Sequence, residues 1–324
     1  MKKLTFYMFF LILANNAFAQ RVDYSVVFVP EESGNNITRI STAGDYVCLP
    51  IVKRNSTGVN WYSNRILGIS PDGTTLAYLS NRNNATNIFF TDLSKQGGSV
   101  QRTNRQGVQD FSFSPDGKYI CFSEVRGKEY QIFQTDVNNG YVCRQITSGA
   151  KDYSPIYSND MKMIFFSREE KNGFSIWSYN IANNFLATYS VGLTPFPLSN
   201  ENAYFCTRTS ALGNCEIWKI NYETGIEECI VSSPNHSFAS PVISPDGKWI
   251  LMVGSSKIET ETVKYWNTDI YACHIDGTHL TQLTYHAADD LSPIWSSDGK
   301  KIYFISQRGD AEGTANIWRM DFNY

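Results

Sequence analysis

The apolar residues of this 324-residue chain fall in short runs separated by polar, turn-forming residues. The runs are rich in β-branched and aromatic residues, as in Lys301-Ile302-Tyr303-Phe304-Ile305, and no long stretch follows the 3.6-residue period of a helix. The pattern therefore predicts many short β-strands joined by tight turns.

One turn sequence, Ser244-Pro245-Asp246-Gly247, recurs along the chain in intact or worn form. Proline presets φ at its second position, aspartate suits the third, and glycine accepts positive φ at the fourth. We interpret each copy as a hairpin turn between two strands. The copies that begin at positions 158 and 199 are the most altered. The six copies begin at Ser70, Ser114, Ser158, Ser199, Ser244 and Ser296.

A second marker, an isoleucine followed by an aromatic residue, keeps step with the turns. It occurs at Ile88-Phe89, Ile132-Phe133, Ile176-Trp177, Ile217-Trp218, Ile270-Tyr271 and Ile317-Trp318. Two independent markers in one register indicate six repeats of the length found in propeller blades. Each repeat has room for four antiparallel strands. We therefore predict an all-β, six-bladed β-propeller built from four-stranded antiparallel blades.

The chain ends at Asp321-Phe322-Asn323-Tyr324, directly after the third strand of the sixth repeat. The segment Asn36–Ser41 reads like the fourth strands of other repeats, such as Arg144–Thr147. We expect this N-terminal strand to complete the sixth blade and close the ring, which removes an exposed sheet edge.

The motif S-P-D-G-K-x-I, then a strand with serine and arginine, then N-I-W/Y-x-M-D and x-L-T, resembles the TolB-type six-bladed propeller. The resemblance covers about residues 36 to 324. It implies the propeller fold and a periplasmic binding role. TolB has an additional α/β domain ahead of its propeller for which this chain has no room, so partnership with the Tol–Pal system is not implied. Propellers of prolyl-oligopeptidase-like enzymes look similar, but the sequence has no G-x-S-x-G motif.

The N-terminus combines a short basic head, an apolar run from Leu4 to Ala14 and the small-residue end Ala17-Phe18-Ala19. These features predict a secretory signal peptide over residues 1–19, cleaved after Ala19. No later apolar run is long enough to span a membrane. We expect a periplasmic or secreted protein with a single propeller domain over residues 20–324. The formal net charge of −3 and the lack of a large basic cluster argue against nucleic-acid binding.

None of the seven cysteines stands in a C-x-x-C or similar ligand spacing, and we expect no metal and no other cofactor. Cys121 and Cys206 fall on one repeat position, where the first repeat has Ala77. That assignment favours small buried apolar residues. The alternative is a disulfide between Cys206 and Cys215, which flank a predicted hairpin loop.

Two insertions are predicted to lie on one face of the ring, because loops after second and fourth strands share a face when strand direction alternates. The first comprises about twenty extra residues between Asp45 and the first turn, including Trp61. The second is a long loop of the fifth repeat, from Gly254 to Thr268, with Tyr265 and Trp266. These aromatic rings are candidates for stacking on a sugar ring or a peptide side chain.

Charged residues recur on the same face. Arginines follow the second strand in five repeats, at Arg82, Arg126, Arg168, Arg208 and Arg308, with Lys257 a loose equivalent in the fifth. Aspartates precede the inner strand at Asp110, Asp152 and Asp290, and Asp45 is a candidate fourth. One interpretation is a repeated structural ion pair. The other is a ring of charges at the channel mouth that binds a polar or anionic ligand.

His286, Asp289 and Asp290 stand close together in the most polar of the loops that lead into an inner strand. They are the candidate catalytic residues of an alternative function, a polysaccharide lyase or glycosidase. An ordinary loop histidine is the simpler interpretation. The function we predict is a non-catalytic, monomeric binding module for a protein or an envelope glycan, without a membrane span.

Overall fold

We analysed a computed structural model that describes residues 36–50, 52–54, 60–63, 65–95, 98–259, 264–309 and 313–324. The predicted signal peptide lies outside these residues. Within the described ranges no helix has the length and apolar character needed to cross a membrane.

Three short strands and one 3-10 helix precede the first blade. They are β1 (Thr38–Arg39), the 3-10 helix (Ala43–Asp45), β2 (Val52–Arg54) and β3 (Asn60–Ser63).

Blades 1 to 3 follow in chain order, and each has four strands. Blade 1 contains β4 (Leu67–Ile69), β5 (Thr75–Ser80), β6 (Asn87–Asp92) and β7 (Ser99–Gln101). Blade 2 contains β8 (Val108–Phe113), β9 (Tyr119–Arg126), β10 (Glu129–Asp136) and β11 (Cys143–Gln145). Blade 3 contains β12 (Asp152–Tyr157), β13 (Met163–Glu170), β14 (Gly173–Asn180) and β15 (Leu186–Val191).

Blades 4 to 6 repeat this arrangement. Blade 4 contains β16 (Leu193–Pro197), β17 (Ala203–Thr209), β18 (Cys215–Asn221) and β19 (Glu227–Val231). Blade 5 contains β20 (His236–Ile243), β21 (Trp249–Glu259), β22 (Lys264–His274) and β23 (Thr281–Gln282). Blade 6 contains β24 (Asp290–Trp295), β25 (Lys301–Ser306) and β26 (Asn316–Asp321).

Each blade is an antiparallel sheet, and in blades 1 to 5 the strands follow chain order from the inside of the ring to the outside. Each inner strand contacts the inner strands of the two adjacent blades, and the last one, β24, contacts the first, β4. In order around the ring they are β4, β8, β12, β16, β20 and β24. The predicted fold, an all-β six-bladed propeller of four-stranded blades, is confirmed.

The predicted closure of the ring by an N-terminal strand is also present. β1 is the outer strand of the sixth blade, with Thr38 opposite Arg319 on β26. The Ile40 amide donates to the Ile317 carbonyl at 2.8 Å. The buried Ser41 hydroxyl accepts from the Ile317 amide at 2.9 Å and donates to Asn316 Oδ1 at 3.0 Å.

The recurring turn is built from side-chain hydrogen bonds. Ser244 Oγ donates to Asp246 Oδ1 at 2.6 Å and accepts from the Trp249 amide at 2.9 Å. Gly247 has the positive φ of 73° that the motif requires, and the worn third copy places Met161 at φ 58° in the same position. A non-glycine residue pays a steric cost in this region. The turn geometry therefore persists in blade 3 without its glycine.

The fourth turn begins one residue earlier than the sequence pattern indicates, at Leu198 instead of Ser199. The Leu198 amide bonds the Ala203 carbonyl, as the Ser70 amide bonds that of Thr75 in blade 1. Cys206 consequently lies one position later than Cys121 in its blade, so these two cysteines are not repeat equivalents. Both are nevertheless fully buried. All seven cysteines are free, so the disulfide hypothesis for Cys206 and Cys215 is wrong.

Both insertions form hairpins. β2 pairs with β3 next to the ring, and β3 contacts β20, the inner strand of blade 5. The predicted long loop of repeat five is not a loop, because β21 and β22 continue as a paired ladder to Glu259 opposite Lys264. Among the described residues between Tyr46 and Val52, Val47 forms an isolated bridge with Ser80, and Val52 is the first residue of β2.

Candidate functional site

The face that carries the loops after the second and fourth strands is called the insertion face below. It bears the β2–β3 hairpin and the far end of the β21–β22 hairpin. The second and third strands of blade 3 stay paired as far as Glu170 and Gly173, twelve residues beyond the first position of their turn. Those of blade 5 stay paired to Glu259, fifteen residues beyond Ser244. Blade 5 therefore extends roughly 10 Å farther out at about 3.3 Å per residue.

Arg82 on this face pairs with Asp45, the candidate fourth aspartate. Its Nη2 atom lies 3.1 Å from Asp45 Oδ1 and 2.6 Å from the Tyr78 hydroxyl. The guanidinium also lies 4.2 Å from the centre of the Phe89 ring. Burial raises the pKa of Asp45, but hydrogen bonds from Thr42 and Tyr78 and the charge of Arg82 outweigh it and hold this pKa below its ordinary value.

Arg168 and Arg308 each bind the aspartate that begins the inner strand of their own blade. Arg168 is bidentate to Asp152, at 2.7 and 2.9 Å, and Arg308 Nη2 bonds Asp290 Oδ2. Both aspartate side chains are fully buried. Burial raises the pKa of Asp152, although its bonds to Arg168 oppose the shift. These two pairs hold the second strand and the inner strand together inside the insertion face.

Arg208 and Arg126 bind glutamates that the sequence analysis did not single out. Arg208 is bidentate to Glu227 on the outer strand, at 2.7 Å for both bonds, and these bonds lower the pKa of Glu227. Arg126 lies 3.3 Å from the buried Glu124, which also accepts from Arg105 at 2.6 Å. Every one of the five predicted arginines therefore contacts a carboxylate. Their role toward a ligand stays a prediction.

The arginines do not occupy one repeat position. Arg82, Arg126 and Arg308 stand three residues after the partner of the marker isoleucine, whereas Arg168 and Arg208 stand one residue after it. The position of an arginine does not by itself decide its partner, because Arg168 and Arg308 stand at different positions and both bind the aspartate that begins the inner strand. Asp110 has another role again, because it bonds the Ser123 hydroxyl and accepts from the Ser154 amide of blade 3 at 2.8 Å.

The aromatic candidates differ in exposure. Tyr265 lies opposite Ile258 on the extended hairpin with 38% of its surface exposed, and Trp266 lies half-buried opposite the exposed Lys257. Trp61 belongs to β3, and its side chain is outside the described part of the chain. Two of the three predicted stacking residues are therefore placed on the extended hairpin.

The predicted residues His286, Asp289 and Asp290 come together with Asp269, a residue the sequence analysis missed. We call Asp269, His286, Asp289, Asp290 and Arg308 the Asp269 cluster. Asp289 Oδ1 accepts from the Thr268 amide at 2.9 Å, and His286 Nδ1 accepts from the Ala288 amide at 2.9 Å. Asn267 Nδ2 bridges Asp269 Oδ2 and the His286 carbonyl, at 2.9 Å each. The loop before β24 is thus bound to β22.

The electrostatics of the cluster single out Asp269. Burial raises its pKa to about 9, the charges of Asp290 and Asp289 add to the rise, and Arg308 opposes it. Burial also raises the pKa of Tyr265, with contributions from the charges of Asp269 and Asp289. Asp269 therefore holds a proton at neutral pH. The available sequence signal was its position before the marker isoleucine, where repeats one and six have Asn87 and Asn316.

Among the residues that the structure describes, no group of three or more histidine, cysteine, aspartate or glutamate side chains is arranged to hold a metal ion.

Comparison with known proteins supports the fold assignment. The family model described as the TolB beta propeller domain matches residues 52–195. A protein assigned as TolB from Agrobacterium tumefaciens superposes with a TM-score of 0.61 at 16% identity, covering 82% of this chain and 94% of that one. TolB from Acinetobacter baumannii gives a TM-score of 0.55 at 20% identity, and the match covers 71% of this chain and 57% of that TolB.

An enzyme shares the architecture as well. The oligogalacturonate lyase from Vibrio parahaemolyticus superposes with a TM-score of 0.59 at 14% identity, covering 91% of this chain and 96% of the lyase. Likeness at such identities concerns the fold and leaves the activity open. The turn motifs, the six blades, the matched family model and the structural neighbours agree: the chain is a TolB-like six-bladed β-propeller.

Proposed function

We propose that this protein is a non-catalytic binding module that binds a protein or an envelope-associated glycan through the insertion face around blade 5. The signal-peptide pattern of residues 1–19 places it in the periplasm or outside the cell in this proposal.

The proposal is based on one observation: both insertions lie at the same blade, blade 5. β3 contacts β20, and β20 is the inner strand of the blade whose β21–β22 hairpin extends outward. The two segments are far apart in the sequence. A propeller needs neither of them to close its ring, and binding residues are commonly carried on such additions to a rigid scaffold.

The chemistry of this region suits recognition. The hairpin presents Tyr265 and Trp266, and Tyr285 on the neighbouring loop is 44% exposed. Aromatic side chains give large contact areas, and tyrosine adds a hydroxyl that can form a hydrogen bond. For these reasons they are enriched at interfaces. The carboxylates of the Asp269 cluster lie beside them and provide charge for specificity.

The test is affinity capture from the native envelope with crosslinking, comparing wild type with two hairpin variants. One replaces residues 258–265 by Asn-Gly, which closes the ladder after Lys257 and Trp266 with a two-residue turn. The other is the double variant Tyr265→Ala and Trp266→Ala. We expect both to lose the captured partner, with at least about a tenfold weaker retention for the double variant.

The matched control is the double variant Tyr141→Ala and Val142→Ala. These residues are 64% and 71% exposed in the loop after the third strand of blade 2, on the opposite face. We expect the control to capture the partner as wild type does. A partner retained by the hairpin variants and lost by the control would overturn the assignment of the binding face.

A second candidate function, a propeller lyase or glycosidase, is favoured by one observation. A buried carboxyl that holds a proton at neutral pH, Asp269, stands beside Asp289, Asp290 and His286, and such a group can act as a general acid. A structural neighbour is an oligogalacturonate lyase by name. Incubation with a panel of acidic and neutral polysaccharides, followed by assays for new reducing ends and unsaturated products, separates the two candidates. Turnover by wild type that His286→Asn abolishes, with partner capture unchanged, would replace the binding module by the enzyme.

A further inference from the structure

We propose that two copies of this protein associate through the outer strand of blade 3, β15 (Leu186–Val191), and that the two β15 strands pair antiparallel across a two-fold axis. The partner at this sheet edge is therefore a second copy of the chain. The inference goes beyond the binding function proposed above and concerns a different blade, so either can fail without the other. It replaces the monomer that the sequence analysis predicted.

β15 differs from the other described outer strands in length and in charge. It has six residues, whereas β1, β7, β11 and β23 have two or three. The outer strand of blade 4, β19, has five residues and begins with Glu227 and Glu228. The sequence Leu-Ala-Thr-Tyr-Ser-Val of β15 contains neither a charged residue nor a proline. Proteins commonly protect exposed sheet edges with short strands, charges or proline, and β15 has none of these.

The first half of β15 turns backbone groups away from its blade. The Asn180 amide donates to the Phe185 carbonyl, and the ladder between β14 and β15 then runs regularly through residues 186–188. Bonded and non-bonded pairs alternate in an antiparallel ladder, so the N–H and C=O groups of Leu186 and Thr188 point outward. β15 is the last strand of its sheet, and within the described ranges no further strand pairs with these four groups.

A two-fold pairing of two β15 edges uses all four groups. When Leu186 of one copy lies opposite Thr188 of the other, the two residues exchange two hydrogen bonds, and the symmetric pair exchanges two more. Ala187 then lies opposite Ala187 of the second copy, on the two-fold axis. The register irregularity of β15 follows Thr188 and so lies outside the paired residues. The edge is therefore complementary to itself, as a two-fold interface requires.

The side chains that flank these residues are apolar and exposed. Phe185, Tyr189 and Val191 are 64%, 36% and 69% exposed. In the proposed register Phe185 of each copy lies opposite Tyr189 of the other, so an aromatic pair stands on either side of Ala187. Cross-strand aromatic pairs stabilise antiparallel sheets. A group of exposed apolar side chains of this kind is typical of an interaction surface.

The charge pattern favours a second copy as the partner. A two-fold axis brings the residues of an edge close to their own counterparts, so a charged edge would face like charges, which destabilise a strand pair. Self-pairing of β19 would bring Glu227 and Glu228 of the two copies together. β15 has no charged residue to bring together. Among the described outer strands longer than three residues, β15 is thus the one whose self-pairing meets no repulsion.

The experiment is sedimentation equilibrium of the mature chain, residues 20–324, over a range from about 1 to 100 µM. We expect the mass to rise with concentration toward that of two chains. Ala187→Lys and Ala187→Glu each place two like charges opposite one another on the axis, so we expect each variant alone to dimerise at least about tenfold more weakly. An equimolar mixture of the two variants should recover the dimer, because a lysine of one copy then faces a glutamate of the other.

The matched control is Val100→Lys, at a position that is 58% exposed on β7, the outer strand of blade 1. We expect it to dimerise as wild type does. Recovery of the dimer in the mixture distinguishes lost pairing from lost folding, and circular dichroism of each variant checks the fold directly.

Four results would overturn the inference. They are a wild-type protein that stays monomeric throughout the range, including one that binds an extended peptide at this edge instead; a dimer that both Ala187 variants leave unchanged; a mixture of the two variants that stays monomeric; and a dimer that Val100→Lys abolishes.

Discussion

Arg168 and Arg126 carry the same charge and lie near the ends of the second strands of neighbouring blades, yet their surroundings differ. Arg168 is the bidentate partner of the fully buried Asp152. Arg126 is 42% exposed and shares Glu124 with Arg105, which makes the shorter bond. The contribution of each arginine to the free energy of unfolding therefore depends on whether its removal leaves a buried carboxylate without a cation.

Replacing Arg168 by Met should lower the free energy of unfolding by about 3–5 kcal/mol, because Asp152 would remain buried without its cation. Replacing Arg126 by Met should cost about 1 kcal/mol or less, because Glu124 keeps Arg105. Urea unfolding at neutral pH measures both values. Adding Asp152→Asn to the Arg168→Met variant should restore part of the loss. Equal losses for the two single variants would contradict this account of the ion pairs.

At the residue scale the sequence could indicate which charged types recur but not which partner each one chooses. The pairs of Arg168 with Asp152 and of Arg308 with Asp290 agree with the interpretation of these charges as structural ion pairs. Glu124 and Glu227 were missed, because a strand places alternate residues on opposite faces and a shift of two residues keeps the face but changes the neighbour. Asp269 was missed because its charged neighbours belong to blade 6 and the loop that leads into it.

At the scale of elements, ring closure depends on a very short strand. β1 has two residues, but the chain on both sides of it adds contacts. The Ile40 amide, and Ser41 through its hydroxyl, together make three hydrogen bonds to Asn316 and Ile317 of β26. Closure thus depends more on residues 40 and 41 than on the strand itself.

A protein that begins at residue 42 should be less stable than one that begins at residue 36 by about 3 kcal/mol or more, at roughly 1 kcal/mol for each of the three bonds. Thermal unfolding of both truncations measures the difference. Ser41→Ala in the full mature chain is the conservative companion and should lose part of it. Identical melting of the two truncations would show that β26 does not need its outer neighbour.

Elements were predicted well wherever two markers agreed. The marker isoleucine and the turn motif located five of the six turns correctly. The fourth turn was predicted one residue too late, because Leu198 stands at the position that serine occupies in the other turns. The blade 5 insertion was predicted to be a loop, because its many polar residues from Ser255 to Thr268 do not show the alternation of apolar and polar residues that is typical of a strand. Pairing with the neighbouring strand, which a single segment does not reveal, extends that hairpin.

At the scale of the whole molecule, the six turns and the six inner strands provide a scaffold, and the chemistry is concentrated on one sector of it. The extended hairpin and the Asp269 cluster both belong to blade 5 and its boundary with blade 6, and β3 reaches the same blade. A sector of this kind can tolerate an unfavourable group because the rest of the ring supplies stability. The protonated Asp269 is such a group.

The buried, protonated Asp269 should make the free energy of unfolding depend on pH. An aspartate in an unfolded chain loses its proton near pH 4, whereas burial and the charge of Asp290 keep Asp269 protonated to about pH 9 in the folded protein. Between these values the folded state binds the extra proton, so stability falls as pH rises, by up to about 1.4 kcal/mol per pH unit from this group, and levels off above about pH 9.

Asp269→Asn removes this contribution, since the amide keeps the acceptor for Asn267 and Gln282 and has no proton to lose. The variant should therefore be more stable than wild type at pH 8, with a difference that shrinks toward pH 5. Asp276→Asn, an exposed carboxylate whose pKa is lowered by Thr278, serves as the control and should not show a growing difference over this range. Urea unfolding of the three proteins at several pH values measures the slopes. A difference between Asp269→Asn and wild type that stays constant from pH 5 to pH 8 would mean that Asp269 is ionised in the folded ring.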